Sequence, residues 1–222
     1  VPVFVLFAWR VRSTEPRRPD QPMRERLRLG PLVELLSRPA ILLPLAVAMI
    51  GTYAVQGLMS FLPTFLIEFR GYSPGTAGAV FSAFFVVRTG GQVAVGRLSD
   101  RLGRDTAIGA AMLAGAVGMA ALVAPLRGGR PLVAVAVLLA GVGSSFFSAV
   151  DPRFIDALGD AERGAGFGLV RTAYTVVGAA GSVGVGLAAD LFGWGVSFAS
   201  LGVLFAGAFA LLSANELLGT GY

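Results

Sequence analysis

The stretch Gly96-Arg97-Leu98-Ser99-Asp100-Arg101-Leu102-Gly103-Arg104-Asp105 decides the fold, because it gathers three arginines and two aspartates between two long apolar runs. Its glycines let backbones approach and turn sharply, and its arginines favour the cytoplasmic face of a bilayer with its anionic lipids. The pattern predicts a short, charged cytoplasmic connection between two membrane spans. The same skeleton returns ninety positions later as Gly186-Leu187-Ala188-Ala189-Asp190-Leu191-Phe192-Gly193, now without a basic residue. If each copy belongs to a set of three spans, an odd number, the second copy faces the opposite side of the bilayer. The loss of arginine from the second copy agrees with an external loop.

Composition points the same way. A chain of 222 residues that is 55% hydrophobic and 14% charged, with a mean hydropathy of +0.75, is too apolar for a soluble domain of this size. A span needs ~20 apolar residues to cross a hydrocarbon core of ~30 Å, and several windows qualify. The sequence contains neither Cys nor His, which removes disulfides, Cys or His metal sites, Ser-His or Cys-His catalysis and imidazole relays. No carboxylate pair lies within a span, so neither an enzyme activity nor a metal or cofactor is expected.

Outward from the charged stretch, residues 1–9 are apolar but too short to span, and read as the end of a truncated transmembrane helix. Residues 10–38 are rich in Arg and broken by Pro16, Pro19 and Pro22. Beside a membrane such a basic run reads as a cytoplasmic linker that sets orientation rather than as a nucleic-acid site. Six spans are expected in a bundle over 39–215: Pro39–Ile67, Gly75–Gly96 and Thr106–Ala124 in a first repeat (39–125), then Pro131–Val150, Gly166–Ala189 and Trp194–Ala214 in a second (131–215). The predicted external connections carry only Arg70, Arg127 and Arg130. Residues 216–222 form a tail that an even number of crossings returns to the cytoplasm.

Polar groups inside hydrocarbon are expensive and usually face an aqueous path or a protein partner. In the first span Tyr53, Gln56 and Ser60 fall at i, i+3 and i+7, one helical face, on a helix made bendable by Gly51, Gly57 and Pro63. They are candidates for contact with a solute, and interhelical hydrogen bonding is the competing role. Arg88 lies eight residues before Gly96, roughly 12 Å from that end at ~1.5 Å per residue. An embedded guanidinium there can meet an anionic solute or form a structural ion pair. Glu68, Asp151 and Asp190 are expected at helix ends, which leaves the spans without a mid-depth carboxylate for proton coupling. Gly178, Ser182 and Gly186 stand four apart as a small-residue packing face.

The form Gly-x-x-x-Asp-Arg-x-Gly-Arg resembles the loop signature of the major facilitator superfamily of secondary transporters, in which a basic residue usually follows where this chain has Asp105. Ala161-Glu162-Arg163-Gly164-Ala165-Gly166 is similar to the family's Glu/Arg-Gly entry into the fifth helix of its second half. The resemblance implies an all-α polytopic membrane protein: the end of helix six, the central loop and helices seven to twelve, six transmembrane helices in an inverted 3+3 repeat. It implies a cytoplasmic gate motif of Gly96, Arg97, Asp100, Arg101, Gly103 and Arg104, joined by Arg171. The implied activity is secondary active transport of a small solute in the cell membrane by alternating access. The expected partners are that solute, membrane lipid and an N-terminal six-helix half in the same or a separate chain. A non-transporting membrane component, or an inactive remnant lacking its N-terminal half, is the alternative.

Overall fold

The computed structural model describes residues 34–125, 129–160 and 162–219. The expectations for residues 1–9 and for most of the 10–38 linker fall outside them. What is described is helical apart from short connections: α1 Pro39–Glu68, α2 Pro74–Leu102, α3 Arg104–Val123, α4 Gly129–Gly143, α5 Phe147–Ala157 and α6 Arg163–Leu217. Five stretches are long and apolar enough to cross a membrane, α4 and α5 counting together as Pro131–Ala157.

The helix starts follow local chemistry. Pro39 opens α1, where its missing N–H is no loss. Ser73 caps α2, its hydroxyl accepting from the Thr76 amide at 3.3 Å, with Pro74 next in line.

The connections differ from the sequence reading in an informative way. Gly96 does not end α2; the helix runs on through Arg97, Asp100 and Arg101 to Leu102. The supposed ten-residue loop is a helix end joined to α3 by the single residue Gly103. Charged side chains stop a hydropathy window but not a helix, whose backbone bonds are satisfied internally. Gly103 adopts φ 96°, ψ 159°, and Gly193 adopts φ 82°, ψ 163° inside the 55-residue α6, which is two helical stretches meeting at that kink. This backbone region is essentially restricted to glycine. The repeated skeleton therefore ends both times on a glycine in the same conformation.

The span expected at Pro131–Val150 is corrected twice. It extends to Ala157, so Asp151 lies six residues inside the helical segment rather than at its end. It is also interrupted at residues 144–146, between α4 and α5. Ser144 Oγ donates to the Ala140 carbonyl at 2.8 Å and Ser145 Oγ to the Gly141 carbonyl at 3.0 Å. Such i−4 back-bonding competes with the helical ladder and bends it.

The core is a seam between α1 and α6. Gly178 packs against Thr52, Gly181 against the Tyr53 backbone and Gly186 against Phe61, so the predicted small-residue face does meet α1. At the Gly193 end the seam is aromatic. Phe65 stacks on Phe198 with centroids 3.9 Å apart, and Trp194 meets Phe61 at 5.5 Å. At the same end the Arg70 guanidinium donates to the Leu122 carbonyl of α3 and to that of Ala124 just beyond its end, the latter at 2.9 Å. It thereby supplies donors and positive charge to a helix C-terminus that lacks partners.

Candidate functional site

The three polar residues predicted to share one face of α1 separate in their roles. Gln56 is exposed. Ser60 is exposed too, and its hydroxyl pairs with Ser182 of α6 at 2.8 Å, which is the interhelical role. Tyr53 is half-buried over Gly181 and Gly184. With Met49, Ile50, Val177, Ser200, Val203 and Leu204 it lines a mainly apolar cavity of about 560 Å³ between α1 and the two stretches of α6.

Arg88 lies deeper than its sequence distance from Gly96 suggested. Since α2 runs from Pro74 to Leu102, Arg88 is its central residue, roughly 21 Å from either end at ~1.5 Å per residue. Its Nη1 donates to the Met59 thioether of α1 at 3.3 Å, and its buried Nε has no hydrogen-bond partner among the described residues. Its carbonyl shares the single Ser145 hydroxyl proton with the Gly141 carbonyl, at 2.9 Å from Ser145 Oγ, so the interruption between α4 and α5 sits against the α2 backbone at this level. Among the described residues no carboxylate pairs with Arg88. Sequence alone gave no sign of Met59 or Ser145 as its neighbours.

Of the residues in the implied gate motif, Asp100 and Arg104 are brought together at the Gly103 end, with an unforeseen set of partners. Arg104 binds Asp100 at 3.0 Å, Asp156 of α5 at 3.1 Å and the Ser99 hydroxyl at 2.9 Å. Asp105 binds Arg153 of α5 at 3.0 Å, both groups largely shielded. Arg97, Arg101 and Arg171 are exposed, and Gly96 is half-buried. On the next turns of α5 and α6, Tyr174 donates to Asp151 at 2.8 Å. The signal that could have found Arg153 was the acidic Asp105, which calls for a basic partner.

Beside this cluster, Arg38 at the start of α1 donates through both terminal nitrogens to Glu162, at 2.8 and 2.9 Å. The Arg38 hydrogen bond, first among the causes, holds the Glu162 carboxyl below the usual carboxylate range. A depressed carboxylate contributes stability that is fully present above its unfolded pKa and lost as pH falls through the folded value. Acidification should therefore weaken the join between α1 and α6, by less than about 1 kcal/mol because both groups are partly exposed. Thermal denaturation of wild type and Glu162→Gln across the acid range checks this. The two curves should converge as pH falls, and a gap that widens on acidification would contradict it.

Comparisons with known proteins bear on this geometry. The family profile described as "Major Facilitator Superfamily" matches residues 70–216, about two thirds of the chain. The chain belongs to the Major Facilitator Superfamily. Its described helices superpose on a crystal structure of a mutant peptide transporter POT in complex with alafosfalin, with a TM-score of 0.70 at 20% identity, covering 79% of this chain and 38% of that one. They superpose on the in meso crystal structure of the POT family transporter PepTSo, with a TM-score of 0.68 at 21% identity, covering 80% of this chain and 37% of that one. At such identities the likeness is one of fold, and the chain spans little more than a third of those structures. A search of the curated proteins finds no match. Membership makes the chain a multi-pass membrane protein of a transporter family and not an enzyme.

Proposed function

We propose that this superfamily member forms the C-terminal six-helix half of a secondary active transporter, moving a small solute by alternating access against an N-terminal six-helix half in the same or a separate chain. The observation that carries the reading is the uncovered polar face at mid-depth. Gln56 lies exposed on α1, and among the described residues Arg88 has no carboxylate partner at the centre of α2. Most of α2 is uncovered, whereas most of α1 is buried. A helix that must cross hydrocarbon yet carries Ser82, Thr89, Gln92 and Arg88 along its length calls for a protein or aqueous neighbour on its open side.

The six crossings are α1, α2, α3, α4 with α5, and the two stretches of α6. They divide into an inverted 3+3 repeat whose glycine turns at 103 and 193 lie at opposite membrane faces. The arginine-bearing turn is cytoplasmic in the cell membrane, as is the C-terminus. Tyr53, Gln56 and Arg88 face the solute path, while Ser60 is held by Ser182. Gly96, Arg97, Asp100, Arg101, Gly103, Arg104 and Arg171 form the cytoplasmic gate.

Topology is open to thiol labelling because the chain has no Cys. Ser99 is buried, so exposed Arg101 is the better probe position. An impermeant thiol reagent added outside intact cells should modify Phe192→Cys and spare Arg101→Cys; the opposite pattern inverts the orientation. Function is tested in proteoliposomes holding the chain with or without a candidate N-terminal half, using labelled organic acids, sugars, amino acids and dipeptides. Saturable flux is expected only with both halves. Flux through the chain alone, abolished by Gln56→Ala, would overturn the requirement for a second half, and no flux of any solute with both halves present would overturn transport.

A further inference from the structure

We infer that Arg88 is the anchor for a carboxylate group on the transported solute, so that the transporter takes small organic anions. The inference rests on the transporter reading and adds the substrate class. A guanidinium presents five N–H donors in a planar fork that matches two carboxylate oxygens. In Arg88 one of these donors meets a thioether sulfur, a weak acceptor, and the buried Nε donor has no partner among the described residues. Carboxylates on the neighbouring helices are committed elsewhere: Asp151 to Tyr174, Asp105 to Arg153, Asp100 and Asp156 to Arg104. A permanent positive charge so placed needs an anion when its site is occupied.

The position narrows what that anion is. Arg88 is the middle residue of α2, farther from either helix end than an arginine side chain can snorkel, so a lipid headgroup at the bilayer surface does not reach it. The α4–α5 interruption abuts it through Ser145, and discontinuous helices at mid-depth are where membrane carriers hold solutes. Thr89 and Gln92, the next polar residues of α2, are exposed. They can bond the uncharged remainder of a solute while the fork holds its carboxylate.

The test uses acetate, the smallest carboxylate, and its neutral counterpart acetamide, so that neither the rest of the solute nor shape decides the result. The chain is placed in lipid nanodiscs, and the arginine Nε–H resonances are followed by NMR, that of Arg88 assigned by its loss in Arg88→Lys. Acetate should shift the Arg88 resonance saturably, acetamide should leave it in place, and the exposed Arg97 should show no saturable response. Acetate affinity should fall about tenfold or more when Arg88→Lys removes the fork but keeps the charge, read on the neighbouring Gln92 amide.

An equal response to acetamide, or no saturable shift with acetate, overturns the assignment without reference to any variant. Loss of the acetate response once the N-terminal half is added would show that a carboxylate of that half holds Arg88, and overturns it too. The two readings fail separately. Flux of uncharged solutes alone, insensitive to Arg88→Gln, would remove the anion and keep the transporter. Acetate bound at Arg88 with no flux of any solute would remove transport and keep the anion site.

Discussion

Gly181→Leu should cost the bundle about 3 kcal/mol or more, enough to remove most folded protein from a membrane extract. A Cβ built at Gly181 runs into the backbone carbonyl of Tyr53, and a main-chain atom inside a helix cannot rotate aside as a side-chain tip can. The two helices would have to separate along the seam that also carries the Phe65–Phe198 stack. Overpacking of a close-packed interior typically costs ~1–3 kcal/mol and more where no side chain can yield. Gly168 lies on the same helix with open space where its Cβ would stand. There Gly168→Ala should gain up to about 0.5–1 kcal/mol by restricting the unfolded chain. Size-exclusion profiles and thermal denaturation in detergent measure both. Equal stability of the two variants would show that α1 and α6 do not approach at Gly181.

Asp105→Arg, which installs the basic residue usual in the family at this place, should damage this chain rather than improve it. Asp105 is bound by Arg153 at 3.0 Å, with the two side chains 32% and 16% exposed. A second arginine there would leave two like charges facing each other. We expect a loss of roughly 1–3 kcal/mol, below the 3–5 kcal/mol of breaking a fully buried pair. Adding Arg153→Asp should restore most of it, because the pair is then rebuilt with its signs exchanged. The comparison is a double-mutant cycle read by thermal denaturation. Additive effects would show that the two groups do not interact and that the acidic residue at 105 has some other cause.

What the sequence disclosed and what it withheld divide along physical lines. Apolar run length pointed to helices long enough to cross a bilayer, which demands ~20 apolar residues. The repeated skeleton pointed to Gly103 and Gly193, since a backbone conformation open only to glycine leaves its mark in the residue itself. The end of α2 was misplaced because hydropathy falls at Arg97 while the helix continues. The interruption at 144–146 was hidden because Gly143, Phe146 and Phe147 keep the run apolar. Its cue was the serine pair at 144 and 145, whose hydroxyls take up the preceding carbonyls. Asp156 for Arg104, Arg153 for Asp105, and Met59 and Ser145 for Arg88 lie about 30 to 60 positions away along the chain, and no local pattern relates residues so distant. The role of Ser60 was open between two readings, and the Ser182 hydroxyl at 2.8 Å supplies the interhelical one.

The two ends of the bundle are fastened by different forces, and they answer to different conditions. The Gly103 end is joined by ion pairs, Arg38 with Glu162, Arg104 with Asp100 and Asp156, Arg153 with Asp105. The Gly193 end is joined by aromatic rings, Phe65 stacked on Phe198 and Trp194 meeting Phe198 edge-on. Mobile ions shorten the reach of the first set, with a Debye length of about 8 Å at physiological ionic strength and about 3 Å at 1 M. They leave ring contacts untouched. Between spans set in lipid the rings are held by packing rather than by release of water, so salt has no purchase on them. Ionic strength is thus a one-sided handle on the molecule, loosening its ion-paired end and sparing the ring packing at the other.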